Sequence, residues 1–257
     1  MKILVCLKQV PAKDAPLRLA ADARWIREDV SYETNEPDAF ALEAALRLKE
    51  GHGGTVVALT VGPARAAQVL REALAKGADR ALHVEGAAST QLDPYAAAEA
   101  ITRAIAGEAY DLIFTGLQSE DAGFGQTGVI LAELLGAPHA TIIMQVEPAG
   151  EKRIKVKREL EGGNFQFVEM PTPAVLTIQS GINKLRYATL MGIKQAKNKP
   201  LVQTTLEDLG VAPSLNRQLL HKLFLPVKSK GTTLIPGSPP EQAAALLRHL
   251  RQDAHVL

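Results

Sequence analysis

The stretch from Leu112 to Gly136 constrains the fold of this chain more than any other. Its first residues, Leu112–Phe114, form an apolar run that predicts a buried strand, and Gly116 ends that strand. A polar, glycine-rich loop follows, and Gln126–Gly128 then begins an amphipathic helix that Gly136 terminates. The first turn of a helix offers unpaired backbone N–H groups and the positive end of the helix dipole. This arrangement predicts a phosphate-binding cradle, so a nucleotide is the first ligand to expect.

Strand and helix patterns alternate through the first two thirds of the chain. We predict strands at 2–8, 55–61, 80–84, 112–114, 141–146 and 173–177, and helices at 37–50, 64–76, 93–107, 126–136 and 241–252. Strands separated by helices of this length are typical of βαβ units. The predicted fold class is therefore α/β, with a doubly wound, mostly parallel sheet. In such sheets the carboxyl ends of the strands meet at one edge, where ligands bind.

The pattern changes near residue 150. Arg153–Glu159 and Phe165–Glu169 flank Glu161–Gly163, which predicts an antiparallel hairpin. Residues 185–199 are basic and loop-like or weakly helical, and 200–239 indicate an extended arm before the terminal helix. We therefore expect a nucleotide-binding α/β domain at 1–184, a partner-recognition loop at 185–199, and a C-terminal arm and helix at 200–257.

Composition excludes several functional classes. Lys and Arg number 29 against 28 Asp and Glu, so a net charge of +1 gives no global field for nucleic acid or an acidic membrane. No apolar run approaches the length of a transmembrane segment, and the first residues lack a signal-peptide pattern, so we expect a cytoplasmic protein. The single cysteine, Cys6, excludes an internal disulfide and is expected to be buried in the first strand.

The chain offers no recognisable catalytic constellation. Its six histidines are dispersed, and none stands at metal-ligand spacing to another histidine, a cysteine or a carboxylate. The Gly-x-Ser-x-Gly elbow, the Walker sequence and the Gly-x-Gly-x-x-Gly dinucleotide fingerprint are absent. We therefore predict neither catalytic residues nor a metal site.

Four segments should meet at the ligand-binding edge of the sheet: Cys6–Gln9, Asn35–Asp38, Val61–Pro63 and Asp121–Gly128. Asn35 or Asp38 is equally well explained as a helix cap and as a ligand contact, because such caps are common. A purely structural role is harder to assign to Gly125–Gly128 at the start of the predicted helix. Its glycines permit close backbone approach to a ligand, and Thr127 supplies a hydroxyl donor.

A short apolar string, Tyr187–Met191, lies within the basic segment, surrounded by Arg186 and several lysines. Leu190 and Met191 fit two interpretations. They pack beneath the loop as a small satellite core, or they project as an apolar anchor for a partner whose approach the cationic rim steers.

Taken together, these residues make the chain resemble the beta subunit of electron-transfer flavoprotein over essentially its whole length. The likeness is carried by Val5–Pro11, Asn35–Glu50, Val61–Pro63 with Ala73–Arg80, Gly116–Gly128, and Val156–Gly163 with Leu185–Leu190. The string Arg-Tyr-Ala-Thr-Leu at 186–190 is the most specific, because no generic fold requirement explains it.

This resemblance implies an adenine-nucleotide-hydrolase-like, Rossmann-like fold and a heterodimer with an alpha subunit that holds most of the FAD. The C-terminal arm and helix would pack on that alpha subunit. Similar subunits bury a structural AMP, and the likeness places its phosphate at Gln126–Gly128. The implied AMP contacts are Cys6, Asn35, Glu36, Pro37, Asp38, Val61, Asp121, Gly123, Phe124, Gly125, Gln126, Thr127, Gly128, Val129 and Ala132.

The resemblance also implies a docking role. Leu190 matches an anchor that enters a pocket on partner dehydrogenases, and Tyr187, Met191 and Ile193 accompany it. Glu159 matches an acidic residue that influences the orientation of the flavin domain.

The function so implied is that of an electron carrier rather than an enzyme. It accepts electrons from flavin dehydrogenases of the acyl-CoA type, as in fatty acid oxidation, and passes them to a membrane quinone reductase. One alternative is an electron-bifurcating subunit that carries a second FAD and uses NADH, although Gly125–Gly128 resembles the AMP type. The other is a stand-alone adenine-nucleotide sensor or ATP-dependent enzyme, which would need a Ser-Gly-Gly-type loop after the first strand.

Overall fold

A computed structural model describes residues 1–86, 92–226 and 231–257. The described chain divides into two units, Met1–Lys222 and Leu223–Leu257. Within the described residues, no helix has both the length and the apolar character needed to cross a bilayer.

The elements of the first unit follow in chain order. They are β1 (Lys2–Cys6), β2 (Gln9–Pro11), β3 (Tyr32–Thr34), α1 (Glu36–His52), β4 (Thr55–Gly62), α2 (Ala67–Lys76), β5 (Arg80–Glu85), α3 (Pro94–Ala104), β6 (Leu112–Gly116), α4 (Thr127–Leu135), β7 (His139–Pro148), β8 (Arg153–Glu159), β9 (Phe165–Pro171), β10 (Ala174–Ile178), α5 (Leu190–Ala196) and β11 (Leu201–Thr205).

The main sheet has the strand order β11-β5-β4-β1-β6-β10-β7-β8-β9. The strands from β11 to β7 run parallel to their neighbours, and β8 and β9 add an antiparallel hairpin. The two short strands β2 and β3 form a separate antiparallel pair. These pairings confirm the predicted α/β class and the predicted hairpin. The chain passes from β1 to β4 on one side and later to β6 on the other, so a topological switch point lies beside β1.

The core forms one layer on each face of the sheet, as the alternation of side chains along β1 shows. Ile3 and Val5 belong to the cluster that includes the apolar residues of α1 and α2. Leu4 and Cys6 belong to the cluster on the opposite face, with residues of α3 and α4. Because successive side chains of a strand point to opposite faces, the four apolar residues of β1 serve both layers and the strand is buried on both sides.

One strand of the sheet lies where the sequence indicated only an extended arm. Leu201–Thr205 pairs in parallel with β5 and closes that edge of the sheet. Its sequence lacks a continuous apolar run, and Val202 is about half exposed, as an edge strand allows. The pairing depends on a distant strand, so local pattern did not reveal it. Part of the predicted arm, 227–230, lies outside the described residues.

The second unit contains the helix α6 (Pro239–Gln252), which confirms the predicted terminal helix. Ser238 and Glu241 form a capping box at its start, and prolines occupy its first turn. Leu246 and Leu247 remain partly exposed on this helix.

Candidate functional site

Asn35 joins the start of α1 to the loop that follows β6. Its side-chain Nδ2 donates to the carbonyl of Gln118 at 3.0 Å, and its Oδ1 accepts from the N–H of Glu120 at 3.0 Å. Asn35 occupies the position before α1 but makes no side-chain capping bond there, so the interpretation as a simple helix cap is wrong for this residue. Its amide is fully buried and instead fixes the loop against the helix.

Asp38 joins three elements through one buried carboxylate. Its Oδ2 accepts from the N–H of Lys8 at 2.7 Å, and its Oδ1 accepts from the N–H of Gly116 at 2.8 Å. Burial raises the pKa of Asp38 to about 7, against the lowering effect of these two N–H donors. A side chain at Gly116 would place Cβ only 2.4 Å from the Asp38 carboxylate, so glycine is required there. The ends of β1 and β6 and the first turn of α1 are thus held together.

Charged side chains surround the loop between β6 and α4. Lys8 Nζ lies 2.6 Å from Asp121 and 3.3 Å from the Ser119 hydroxyl. Lys13 Nζ bridges Glu36 at 2.6 Å and Glu120 at 3.2 Å. These pairs connect the segment after β1 to both the loop and the start of α1.

A buried apolar cluster lies on the face of the sheet covered by α3 and α4, and it includes the end of β1. Cys6 and Ala132 share one buried cluster with Leu59 and Leu131, and Val61 packs against it partly exposed. Burial raises the pKa of the Cys6 thiol, and the nearby Asp38 carboxylate raises it further, so the thiol stays protonated. The predicted buried position of Cys6 is confirmed, and its role is packing.

The start of α4 has the features of an anion-binding turn. The residue before the helix, Gln126, makes no side-chain capping bond, so no side chain satisfies the first-turn N–H groups in the way a cap does. Gly123 and Gly125 adopt positive φ values of 66° and 63°. A Cβ at Gly128 would lie 2.6 Å from side-chain atoms of Thr115 and Thr177, so only glycine lets the helix approach the sheet this closely.

The predicted contact residues are therefore spread along one edge in two environments. The buried ones are Cys6, Asn35, Pro37, Asp38, Gly128 and Ala132. The partly or largely exposed ones are Glu36, Val61, Asp121, Gly123, Phe124, Gly125, Gln126, Thr127 and Val129. Backbone donors, a hydroxyl and an apolar floor are the groups that a nucleotide with a phosphate uses, so the residues present fit an adenylate.

The four predicted docking residues lie on and beside α5. Tyr187 is 94% exposed, Leu190 88%, Met191 63% and Ile193 48%. The satellite-core interpretation is therefore wrong for Leu190 and Met191. The predicted Glu159 lies elsewhere, at the end of β8, where its Oε2 accepts from the side chain of Gln179 at 3.3 Å.

Sequence reasoning missed the ionic cluster that holds the segment before α5. Arg186 donates to Glu43 at 2.7 Å and to Glu50 at 2.5 and 2.9 Å, and Arg47 donates to Glu43 at 2.6 Å. Burial alone would raise the pKa of Glu43, but hydrogen bonds from Arg186 and Arg47 outweigh it and hold that pKa below its usual value. The signal available was the Glu43–Arg47 spacing on α1, but its partner is more than a hundred residues away.

Sequence reasoning also missed the contact between Lys8 and Asp121. The available signal was that Lys8 ends a strand whose carboxyl end faces the ligand-binding edge, and this does not identify its partner. Among the residues that the structure describes, no group of three or more His, Cys, Asp or Glu side chains is arranged to hold a metal ion.

Comparison with known proteins identifies the family. A family model described as the electron transfer flavoprotein domain matches residues 24–209. The electron transfer flavoprotein subunit beta of Methylophilus methylotrophus is 40% identical, with 98% of each chain covered. The subunit beta of Bacillus subtilis (strain 168) is 34% identical, and a subunit of the caffeyl-CoA reductase-Etf complex of Acetobacterium woodii is 32% identical, both over the full length of each chain.

The doubly wound sheet and this family match together define an electron transfer flavoprotein domain. The chain belongs to the electron transfer flavoprotein family, among its beta subunits.

Proposed function

We propose that this beta subunit pairs with an FAD-bearing alpha subunit and docks flavin dehydrogenases of the acyl-CoA type through α5. Electrons would pass from the dehydrogenase to the FAD and on to a membrane quinone reductase, with the protein acting in the cytoplasm. Bound FAD would supply the redox chemistry, and this chain would supply support and docking. Glu159, beside Gln179, would influence the orientation of the flavin domain.

The observation that carries the proposal is the exposure of Leu190. It is the first residue of α5 and is 88% exposed, with Met191 and Ile193 beside it. A cluster of apolar side chains in water is costly unless a partner covers it, and such clusters mark interaction sites. Lys194 and Lys197 supply a cationic rim, which favours an acidic partner surface around an apolar pocket.

We also propose that AMP binds at the edge described above, with its phosphate at the first turn of α4 and its adenosine against the floor containing Cys6 and Ala132. Gly128 supports this because it allows the helix start to approach the sheet. The buried Asn35 and Asp38 already bond to protein groups, so their proposed role is to shape the loop around the ligand.

The test uses the heterodimer reconstituted with its alpha subunit. Leu190→Ala is expected to raise the apparent KM for the heterodimer in reduction by an acyl-CoA dehydrogenase at least ten-fold, while FAD content stays constant. Leu17→Ala, at an exposed leucine outside the C-terminal arm, is the control and should leave the KM unchanged. An unchanged KM in Leu190→Ala would refute the docking role.

A second candidate is the bifurcating function with a second FAD and NADH. The similarity to a subunit of the caffeyl-CoA reductase-Etf complex supports this second function. Extraction of the purified heterodimer decides between the two: one FAD and one AMP support the first function, and two FAD per heterodimer support the second. A stand-alone sensor is disfavoured because the match to beta subunits spans the whole chain.

A further inference from the structure

The segment 185–196 is attached to the rest of the protein at three places, and each attachment uses a different interaction. The first is ionic and involves α1. The guanidinium of Arg186 donates to the carboxylate of Glu43 and to that of Glu50. Arg47 donates to the carbonyl of Lys184 at 2.8 Å. A planar guanidinium with several donors can bridge two carboxylates, whereas a lysine ammonium acts as a single point charge.

The second attachment is a backbone contact with α2. A Cβ built at Gly192 would lie 2.2 Å from the carbonyl oxygen of Ala75, so α5 approaches the last turn of α2 as closely as glycine permits. Thr189 fixes the start of α5 at the same point, because its Oγ1 accepts from the N–H of Gly192 at 3.0 Å.

The third attachment follows α5. Lys199 Nζ donates to the carbonyl of Leu74 at 2.9 Å and to the carbonyl of Ala78 at 2.6 Å. It therefore satisfies carbonyls at the end of α2, where a cation is favoured by the helix dipole. The chain is thereby tied to α1 just before α5, and to α2 both within α5 and just after it.

A seven-residue helix is too short to be stable alone in water. No residue of α5 is fully buried, and within the helix only Ala196, its last residue, packs against the apolar core, so the core contributes little to its order. The three attachments therefore supply most of that order. We infer that Arg186, held by Glu43 and Glu50, together with the Gly192–Ala75 contact, forms a clamp that fixes α5 before a partner arrives, so that Leu190 docks as a pre-ordered side chain.

This inference rests on the proposed docking function and adds a positioning role for Arg186 and Gly192. A pre-ordered segment loses less conformational freedom on association than a mobile one, so the clamp strengthens docking without touching the partner. Loss of the clamp should therefore weaken capture of the dehydrogenase and leave the rate at saturation unchanged.

The experiment uses the reconstituted FAD-containing heterodimer and an acyl-CoA dehydrogenase with its substrate. Arg186→Met and Gly192→Ala are each expected to raise the apparent KM for the heterodimer at least five-fold, with kcat within two-fold of wild type. Arg186→Lys should give an intermediate KM, because it keeps the charge but loses the fork. Arg18→Met, at an exposed arginine outside the segment, is the matched control and should behave as wild type.

Two further readouts separate positioning from general damage. Amide hydrogen exchange over 185–196 should become faster in Arg186→Met, while exchange in β1 and β4 stays constant. When Arg186→Met is combined with Leu190→Ala, the KM should be less than two-fold higher than in Leu190→Ala alone, because the clamp acts through Leu190. If Arg186→Met fails to assemble, Gly192→Ala and Arg186→Lys carry the same comparison.

Unchanged KM and unchanged exchange in the clamp variants, with an effect of Leu190→Ala retained, would overturn the clamp and leave the docking function standing. A full additional effect of Arg186→Met in the Leu190→Ala background would also overturn it. If Leu190→Ala alone has no effect, the docking function fails instead, and the exchange measurement still decides whether the clamp orders the segment.

Discussion

Replacement of Asp38 by alanine is expected to destabilise the folded protein strongly, because it removes the acceptor of two backbone donors. The N–H of Gly116 is buried, and the N–H of Lys8 is partly buried. An orphaned buried donor costs about 1–3 kcal/mol, so the fully buried one and the partly buried one together cost about 3 kcal/mol. Asp38→Asn should cost about half as much, since its amide oxygen can accept from one donor only.

Urea unfolding of the purified protein measures this effect through the midpoint at constant m-value. Asp14→Ala, at an exposed aspartate, is the control and should change stability by less than about 0.5 kcal/mol. A loss below about 1 kcal/mol in Asp38→Ala would mean that water or a shifted side chain satisfies the donors, and the proposed joining role would be refuted.

The pH dependence of unfolding, compared between wild type and Asp38→Asn, tests the ionisation of Asp38. Burial raises its pKa to about 7, above the value near 3.8 of the unfolded chain. Between these values the folded protein keeps a proton that the unfolded chain has released, so this group's stabilising contribution is complete below pH 4 and lost as the pH rises through 7. The stability advantage of wild type over Asp38→Asn should therefore shrink from pH 4 to pH 7. An advantage that grows over this range would show that the N–H donors outweigh burial.

Three further substitutions test other parts of the structure. Gly128→Ala forces contact with Thr115 and should lower stability by about 1–3 kcal/mol in thermal unfolding, and an unchanged melting temperature would contradict the close packing of α4. Hydrogen bonds from Arg80 first, then Lys2, lower the pKa of Glu108 to about 2, so its contribution is present above pH 4.5 and lost as the pH falls toward 2. Glu108→Gln should therefore reduce the acid sensitivity of unfolding between pH 4.5 and 2, and an unaltered acid profile would argue against it. Asp93→Ala removes the cap of α3 and an acceptor for the N–H groups at 217 and 218, so a loss of about 2 kcal/mol and faster proteolysis near 217 are expected, and unchanged proteolysis would count against that anchor.

The elements that the sequence predicted well are those with local signals. Asp93 is a favoured capping residue and Pro94 suits the first position of a helix, so this pair marks the start of the helix predicted at 93–107, and the Asp93 side chain accepts from the N–H of Ala96 in the structure. Gly136 predicted the end of α4, and it adopts the left-handed conformation there. The Glu161–Gly163 turn between two strand-like segments likewise predicted the hairpin of β8 and β9. In each case the determining residues lie within a few positions of one another.

The features that sequence reasoning missed depend on partners far apart in the chain. β11 exists because β5 offers an open edge, and nothing in the residues 201–205 encodes that neighbour. The role of Asn35 was left open because its two bonds go to a loop more than eighty residues away. Arg186 likewise lies 143 residues from Glu43, its partner on α1. Local pattern identifies such residues as polar, but only the packed fold shows which polar groups meet.

Helix α1 explains why both candidate surfaces occur in one subunit. Its first turn carries Asp38, which joins the ends of β1 and β6 at the carboxyl edge of the sheet. Its later turns carry Glu43 and Glu50, which hold Arg186 and the segment before α5. The helix has 17 residues, so it spans about 25 Å at the rise of an α-helix. The apolar residues of α1 are buried in the cluster that packs against the sheet, so the helix is held in place along this length. The same helix therefore holds the ends of β1 and β6 together and, through Arg186, holds the segment that carries Leu190.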